Sequence, residues 1–152
     1  MKLLLHICCA PCSAACIKVL REEEIDVTGY WYNPNIHPKV EYERRKNAFI
    51  EFCKIKEVKN VVIDEYNLNE YVKYIALNVG EDKKYKVRCE YCYYIRLKKV
   101  FEYAKENNFD VVSTTLTISP YQNNVLIKKF VKELQDEYCG CVFSFDAGRW
   151  VY

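Results

Sequence analysis

Residues 2–24, KLLLHICCAPCSAACIKVLREEE, join a short apolar run to a helix-like segment through a group of cysteines. The run from Lys2 to Cys8 is typical of a buried strand, and Ser13 stands at the start of a helix-like stretch from Ala14 to Glu24. The same order returns along the chain, with strand-like segments at 27–32, 61–63 and 110–116 and helix-like segments at 40–56, 69–77, 92–105 and 125–134. This alternation predicts a parallel sheet covered by helices.

The length and composition of the chain limit the fold and the function. With 152 residues, 51% of them hydrophobic, the chain can bury one core, so we expect a single α/β domain over residues 1–152. Its predicted architecture is a three-layer Rossmann-like parallel sheet flanked by helices. A formal net charge of only +2 does not suggest a strongly basic nucleic-acid-binding domain, although local basic clusters could still contact RNA.

The N-terminus and the cysteine content indicate the cellular compartment of the protein. The apolar run before Cys8 is too short for the core of a signal peptide, and no stretch of about 20 apolar residues predicts a transmembrane helix. We therefore expect a cytoplasmic protein with no membrane partner. In a reducing compartment, clustered cysteines are more often metal ligands or redox catalysts than structural disulfides, and this chain has nine cysteines.

Four of these cysteines form two close pairs. Cys8 and Cys9 follow the first predicted strand, and Cys89 and Cys92 stand one turn apart at a predicted helix start, where unpaired N–H groups favour thiolates. Four soft thiolates suit a [4Fe-4S] cluster, provided that the chain turns after Cys9, as Ala10-Pro11 permits. The same four thiolates also suit a tetrahedral zinc ion, and the spacing leaves both alternatives open.

The other cysteines divide into two kinds. Cys139 and Cys141, separated by one glycine, could form a strained redox-active disulfide, hold a second metal together with Cys12, or be an ordinary pair. Cys16 and Cys53 fall inside predicted helices at core-facing spacing. We predict that these two are small buried hydrophobes without a chemical role.

Three polar segments are expected to meet at one edge of the sheet. The cysteines at 8, 9 and 12 follow the first strand, residues 33–37 follow the second, and residues 114–121 follow the fourth. Ligands bind outside the carboxyl ends of parallel strands, so this edge is the predicted site. His37 in the second segment is either a proton donor or a solvated loop residue, whereas His6, inside the first strand, is expected to be a core histidine.

A basic run precedes the second cysteine pair. Residues 83–88, KKYKVR, combine four cations with an aromatic ring, a composition that attracts phosphates and can stack on unpaired bases. A charge run of this length can equally be a solvated surface. Its position directly before Cys89 favours the RNA interpretation.

Five short motifs occur in the same order as in a known family. They are HICCAPCS at 6–13, YNPNIHP at 32–38, RCEYCYYIRL at 88–97, TTLTISPYQ at 114–122 and YCGC at 138–141. Together they span nearly the whole chain and resemble the motifs of the QueH-type epoxyqueuosine reductases. The resemblance implies reduction of epoxyqueuosine to queuosine at the wobble position of tRNA, the last step of queuosine biosynthesis, without cobalamin.

The resemblance also implies roles for individual residues. The implied ligands of a [4Fe-4S] cluster are Cys8, Cys9, Cys89 and Cys92. Cys139 and Cys141 correspond to the family's redox-active pair, or to ligands of an adjacent mononuclear iron, with Cys12 as a further ligand. The positions expected to contact substrate or RNA are Asn33, Asn35, Arg88, Arg96, Ser119 and Gln122.

Opening an epoxide to an alkene and water needs two electrons, two protons and an electrophile on the oxygen. We expect an external donor such as a ferredoxin or flavodoxin to supply the electrons, and His37 or Tyr121 to supply a proton. The expected macromolecular partner is the anticodon loop of tRNA.

One departure from the family concerns the stretch between Gln122 and Cys139. Family members carry there a further strand, an Asp-Phe-Arg motif and a glycine-containing segment, none of which occurs in this chain. Their loss predicts an exposed apolar patch or a homo-oligomer. Two other functions remain open from sequence: a zinc-stabilised RNA-binding module without catalysis, and a thiol-disulfide oxidoreductase that uses Cys139 and Cys141.

Overall fold

A parallel sheet forms the centre of the structure, a computed structural model that describes residues 2–118, 122–138 and 142–143. Its strands are β1 (Lys2–His6), β2 (Asp26–Trp31), β3 (Lys59–Val62), β4 (Val111–Thr114) and β5 (Val142–Phe143). They lie in the order β3-β2-β1-β4-β5, and every neighbouring pair is parallel. The predicted parallel sheet is confirmed. The two-residue β5 was not predicted, because two residues show no periodicity.

The helices of the described residues are α1 (Ala10–Glu22), α2 (Lys39–Ile55), α3 (Leu68–Asn78), α4 (Arg88–Glu106) and α5 (Asn124–Glu137). Two of them begin earlier than their apolar periodicity indicates. Helix α1 starts at Ala10 rather than Ala14, because proline is tolerated in a first turn, where its missing N–H would have no partner anyway. Helix α4 starts at Arg88, four residues before the periodic stretch at 92–105, and this start confirms the predicted position of Cys89 and Cys92 at a helix N-terminus. Strand β4 ends at Thr114 because residues 115–118 form a 3-10 turn.

Alternate side chains of β1 face opposite layers of helices. Leu3 and Leu5 pack in one buried cluster with residues of α1 and α2, whereas Leu4 packs in the other with residues of α4 and α5. This alternation is the period-2 geometry of a strand, and it confirms the predicted three layers. Cys16 and Cys53 are 0% and 1% exposed within the α1–α2 layer, as predicted for small hydrophobes.

Helix α3 lies outside these two layers. Tyr71 is its one buried residue, and it belongs to a third, smaller cluster with Tyr85, Tyr91 and Cys92. The third cluster therefore joins α3 to the first turns of α4. No helix in the described ranges has the length and apolar character needed to cross a membrane.

Replacement of Phe49 by alanine should cost about 3–5 kcal/mol of unfolding free energy, because it removes a fully buried ring. The ring lies over Gly29 of β2, where a Cβ would come within 3.2 Å of both the ring and Ile7 Cδ1, so this part of the core is closely packed. Urea denaturation measures the loss. Val40→Ala on the same helix is the control, since Val40 is 79% exposed and should change stability by about 0.5 kcal/mol or less. Equal losses in both variants would contradict this packing.

The strand order fixes where a ligand can bind. From β1 the chain builds β2 and β3 on one side of the sheet and then β4 and β5 on the other. The strand order therefore reverses at β1, which is the topological switch point of the sheet. The crevice outside the carboxyl end of such a strand is the common ligand site of open α/β sheets.

Candidate functional site

A cavity of about 320 Å³ lies at the carboxyl ends of β1, β2 and β4. Nine of the residues predicted from sequence to form the site are in its lining: Cys8, Cys9, Asn33, Asn35, Arg88, Cys89, Cys92, Arg96 and Gln122. The four thiols of the two close pairs therefore face a common space. The predicted meeting of the segments that follow β1, β2 and β4 is found in the structure.

Cys8 and Cys9 reach this cavity together because the chain changes conformation between them. Cys8 lies in a bend two residues after the end of β1, and its backbone N–H donates to Thr115 Oγ1 at 3.2 Å. The Sγ atom of Cys8 lies 3.3 Å from the same hydroxyl. Cys9 is the extended N-cap residue of α1, with φ −156° and ψ 149°, and the helix turns away directly after it. Two adjacent side chains can thus line one cavity, which a continuous strand would not allow.

Cys89 and Cys92 belong to the first turn and a half of α4. Val87, the N-cap residue, makes no side-chain hydrogen bond to this turn, so the helix N-terminus presents its N–H groups without a side-chain cap. Cys89 is exposed, whereas Cys92 is buried, with its Sγ 2.7 Å from Tyr71 Oη. Burial raises the pKa of the Cys92 thiol, and the Tyr71 hydroxyl and the guanidinium groups of Arg96 and Arg88 oppose that rise.

Arg96 brings a buried positive charge to the cavity. Its Nε donates to the carbonyl of Cys92 at 2.8 Å, and its guanidinium lies 5.6 Å from the centre of the Tyr93 ring. Burial lowers the pKa of Arg96, and the nearby Cys92 and Cys8 oppose that shift. Among the described residues, no carboxylate forms an ion pair with Arg96. A buried cation requires a negative counterpart, and the groups that can supply one here are thiolates or an anionic ligand.

The loop after β2 contributes polar groups to the cavity. Asn33 Nδ2 donates to the carbonyl of Ile7 at 3.1 Å, which ties this loop to the end of β1. The Oδ1 atom of Asn35 is buried without a hydrogen-bond partner among the described residues. An unpaired buried acceptor is costly, so Asn35 Oδ1 can accept a hydrogen bond from a ligand. On the opposite wall, Gln122 Oε1 accepts from Tyr93 Oη at 2.6 Å.

The two histidines lie in different surroundings. His6 has Nδ1 2.9 Å from Thr114 Oγ1 and Nε2 3.3 Å from the carbonyl of Tyr32, and burial, aided by the Arg96 charge, lowers its pKa to about 3. It is the neutral core histidine that the sequence predicted. His37 does not line the cavity. Its ring packs against Tyr71 at 4.8 Å, and burial, with the charge of Arg88, lowers its pKa. A lowered pKa makes His37 a weaker source of protons at neutral pH.

Several predicted positions lie outside the described residues. They are Ser119, Tyr121, Cys139 and Cys141, together with the side chain of Cys12. Their roles stay predictions. Within the described ranges, no three His, Cys, Asp or Glu side chains come close enough together to hold a single metal ion.

The sequence analysis did not name four residues that line the cavity, or two residues whose hydroxyl groups contact its thiols. Ile36, Arg45, Tyr93 and Leu116 complete the lining, and Tyr71 and Thr115 contact the thiols of Cys92 and Cys8. Tyr93 and Thr115 stand inside the recognised motifs, so the signal was available for them. Tyr71 stands in no motif, and only the packing of α3 on α4 brings it to Cys92.

Comparisons with known proteins all point to one family. The family model described as "Epoxyqueuosine reductase QueH" matches residues 3–137. A protein of that name from Histophilus somni is 32% identical over 183 residues, which cover 98% of this chain and 74% of the relative. Its namesake from Acinetobacter baylyi is also 32% identical, over 98% of this chain and 83% of the relative. One from Dehalococcoides mccartyi is 36% identical over 123 residues, or 81% of this chain and 64% of the relative.

The lengths of these alignments concern the family elements that this chain lacks between Gln122 and Cys139. The alignment with the Histophilus somni protein runs over 183 residues although this chain has only 152, so it contains gaps opposite residues that this chain lacks. The family match ends at residue 137, just before Tyr138 and Cys139. Within the aligned region, this chain therefore lacks residues that the Histophilus somni relative has.

Proposed function

Because the chain belongs to the QueH family of epoxyqueuosine reductases, we propose that it reduces epoxyqueuosine to queuosine at the wobble position of tRNA, in the cytoplasm. The observation that carries this proposal is the cavity at the end of β1, where four thiols surround a buried arginine. Such a site suits redox chemistry on a polar substrate, because ligands for an electron-transferring group lie beside a buried positive charge.

The cofactor that we propose is a [4Fe-4S] cluster bound by Cys8, Cys9, Cys89 and Cys92. The donor set fits, because such a cluster takes one thiolate for each iron, and four thiols line this cavity. The same four thiols could also hold one tetrahedral zinc ion, so metal analysis of the purified protein distinguishes the two. When bound, the cluster would relay electrons one at a time toward the epoxide.

The protein's own groups would balance charge and orient the substrate. The Arg96 guanidinium offsets the negative charge of the thiolates, and the helix N-terminus at Cys89 adds a partial positive charge. Asn35 Oδ1 can accept a hydrogen bond from a hydroxyl or amine of the modified nucleoside. Two protons complete the water product, and we propose His37 or Tyr121 as a proton donor.

We propose the anticodon loop of tRNA as the macromolecular partner. Arg45 and Arg88 line the cavity with exposed side chains, where they can contact phosphates. Lys84 Nζ lies 5.4 Å from the centre of the Tyr85 ring and 5.7 Å from that of Tyr94. Cations beside aromatic rings next to an electron-transfer site suit an unpaired RNA loop. Electrons would come from a ferredoxin or flavodoxin.

The C-terminal cysteines would add a second redox element. We propose that Cys139 and Cys141 act as a reversible disulfide, or bind a mononuclear iron together with Cys12. Because this chain lacks residues that the Histophilus somni relative has, we also propose that a second copy covers the surface left by the missing segment. Light scattering of the purified protein tests this, and a monomer at high concentration would exclude it.

Anaerobic purification followed by an assay tests the central proposal. We expect a brown protein with about four irons per chain that converts epoxyqueuosine in tRNA to queuosine with a chemical reductant, as measured by nucleoside analysis. A colourless protein with bound zinc would instead identify an RNA-binding module. A metal-free protein whose thiol count changes with redox state would identify a thiol-disulfide oxidoreductase.

A further inference from the structure

Helix α3 contributes almost nothing to the core except one tyrosine. Leu68, Val72 and Leu77 of this helix are 40%, 54% and 66% exposed, whereas Tyr71 is 8% exposed. A surface helix normally buries an apolar stripe three or four residues apart. Helix α3 instead fully buries only Tyr71 in the third cluster, with Ile75 partly buried against it and the Tyr74 ring stacked on Tyr91. The hydroxyl of Tyr71 lies against a thiol.

The position of the Tyr71 hydroxyl is fixed from several sides. Its Oη lies 2.7 Å from Cys92 Sγ, and both side chains are buried. The ring packs against His37 at 4.8 Å and against Tyr91 at 5.9 Å. A tyrosine has two side-chain torsions, so these contacts leave the hydroxyl little freedom to point elsewhere.

We propose that Tyr71 is a positioning residue that donates its hydroxyl hydrogen to the Cys92 thiolate and thereby sets the reduction potential of the metal group which that thiolate binds. This inference rests on the proposed [4Fe-4S] cluster. Once Cys92 is a thiolate it has no proton of its own, so the phenol is the donor of this hydrogen bond. Tyr71 is not among the residues that line the cavity, so it would act through the sulfur of Cys92.

Electrostatics predicts whether this hydrogen bond raises or lowers the reduction potential. A hydrogen bond to a ligand sulfur draws negative charge away from that atom, which favours the addition of an electron to the metal group. The surroundings are buried and of low dielectric, so the contact has more influence than it would have in water. The native hydrogen bond therefore raises the reduction potential and holds Cys92 in one orientation.

Tyr71→Phe tests this inference, because it removes the hydroxyl and keeps the ring packing. We expect the loaded variant to retain the iron content of the native protein and to show a more negative reduction potential in a spectroelectrochemical titration. Tyr74→Phe is the matched control. Tyr74 stands three residues further along α3 and borders the same neighbouring groove of about 520 Å³ as Tyr71, and no hydrogen bond joins its hydroxyl to a thiol among the described residues.

A second measurement uses the native protein and does not depend on the variant folding. After exchange into D2O, the reduced native protein should show a deuteron coupled to the metal group in pulsed electron paramagnetic resonance, and Tyr71→Phe should lose that signal. An unchanged potential in Tyr71→Phe, or the absence of a coupled deuteron in native protein, would overturn the inference. Native protein without iron would overturn the proposed function as well, whereas iron-loaded native protein that fails to reduce epoxyqueuosine would overturn the proposed function alone.

Discussion

Cys92→Ala is expected to lose bound iron and to lower epoxyqueuosine reduction by more than about 100-fold. Loss of a group that only supports a metal ligand already costs about 10- to 100-fold in affinity or activity, and loss of a ligand should cost more. Cys92 is the buried thiol of the α4 pair, hydrogen-bonded to Tyr71 and close to the Arg96 charge. Cys89, the other described thiol on that wall, is itself a proposed ligand and so cannot take its place. Iron analysis and the visible spectrum measure the loss directly.

Cys16→Ala is the matched control for this prediction. Cys16 is also buried, at 0% exposed, but it belongs to the α1–α2 layer and not to the cavity. The same deletion of one sulfur should lower stability by about 1 kcal/mol and leave the iron content unchanged. Full iron in Cys92→Ala, or equal loss of iron in the two variants, would rule out Cys92 as a ligand.

Arg96→Met is expected to act in opposite ways on the loaded and the metal-free protein. In the loaded protein the guanidinium balances the charge of the thiolates, so its removal should speed iron release to a chelator by about 10- to 100-fold. In the metal-free protein, burial raises the pKa of Cys92 and so favours its neutral thiol, and Arg96 is then a buried cation without a carboxylate partner among the described residues. Replacement by a hydrophobic side chain of similar length should leave the unfolding free energy unchanged or raise it.

Chelator competition and urea denaturation, each with and without iron, measure the two effects of Arg96→Met. Arg44→Met is the control, because Arg44 forms a surface ion pair with Glu41 and has a side chain that is 74% exposed. A surface pair of this kind contributes little to stability, so both measurements should stay close to native. Metal-free Arg96→Met that unfolds as easily as a core deletion would show that Arg96 is structural rather than a counter-charge.

Much of the fold could be predicted from local patterns. The apolar run Leu3–Leu5 and the helical spacing of Ile127, Val131 and Leu134 correspond to buried faces in the structure. The start of α1 was placed too late, and the apolar periodicity of α4 begins only after its first turn, since the polar and cysteine-containing first turns of these helices interrupt the apolar pattern that signals a helix. The cysteine pair itself predicted that α4 opens at Cys89.

His37 illustrates where prediction of the site from sequence ends. The sequence put it in the correct loop, after β2, but could not tell whether its ring would enter the cavity. In the structure the ring packs against Tyr66 and Tyr71, residues about thirty positions later in the chain. These contacts bury the His37 ring, and the burial lowers its pKa. The sequence of the loop alone does not predict this burial.

The sequence by itself determined the alternation of strands and helices, and therefore which loops open at the carboxyl edge of the sheet and which cysteines those loops carry. These properties depend on local apolar periodicity and on the rule that parallel strands end at a common edge. Only the tertiary structure decided that adjacent Cys8 and Cys9 line one cavity, that Arg96 is buried beside them, and that Tyr71 reaches Cys92. These contacts depend on how α1, α3 and α4 pack around the end of β1, because burial and hydrogen bonding are set by neighbours distant in sequence.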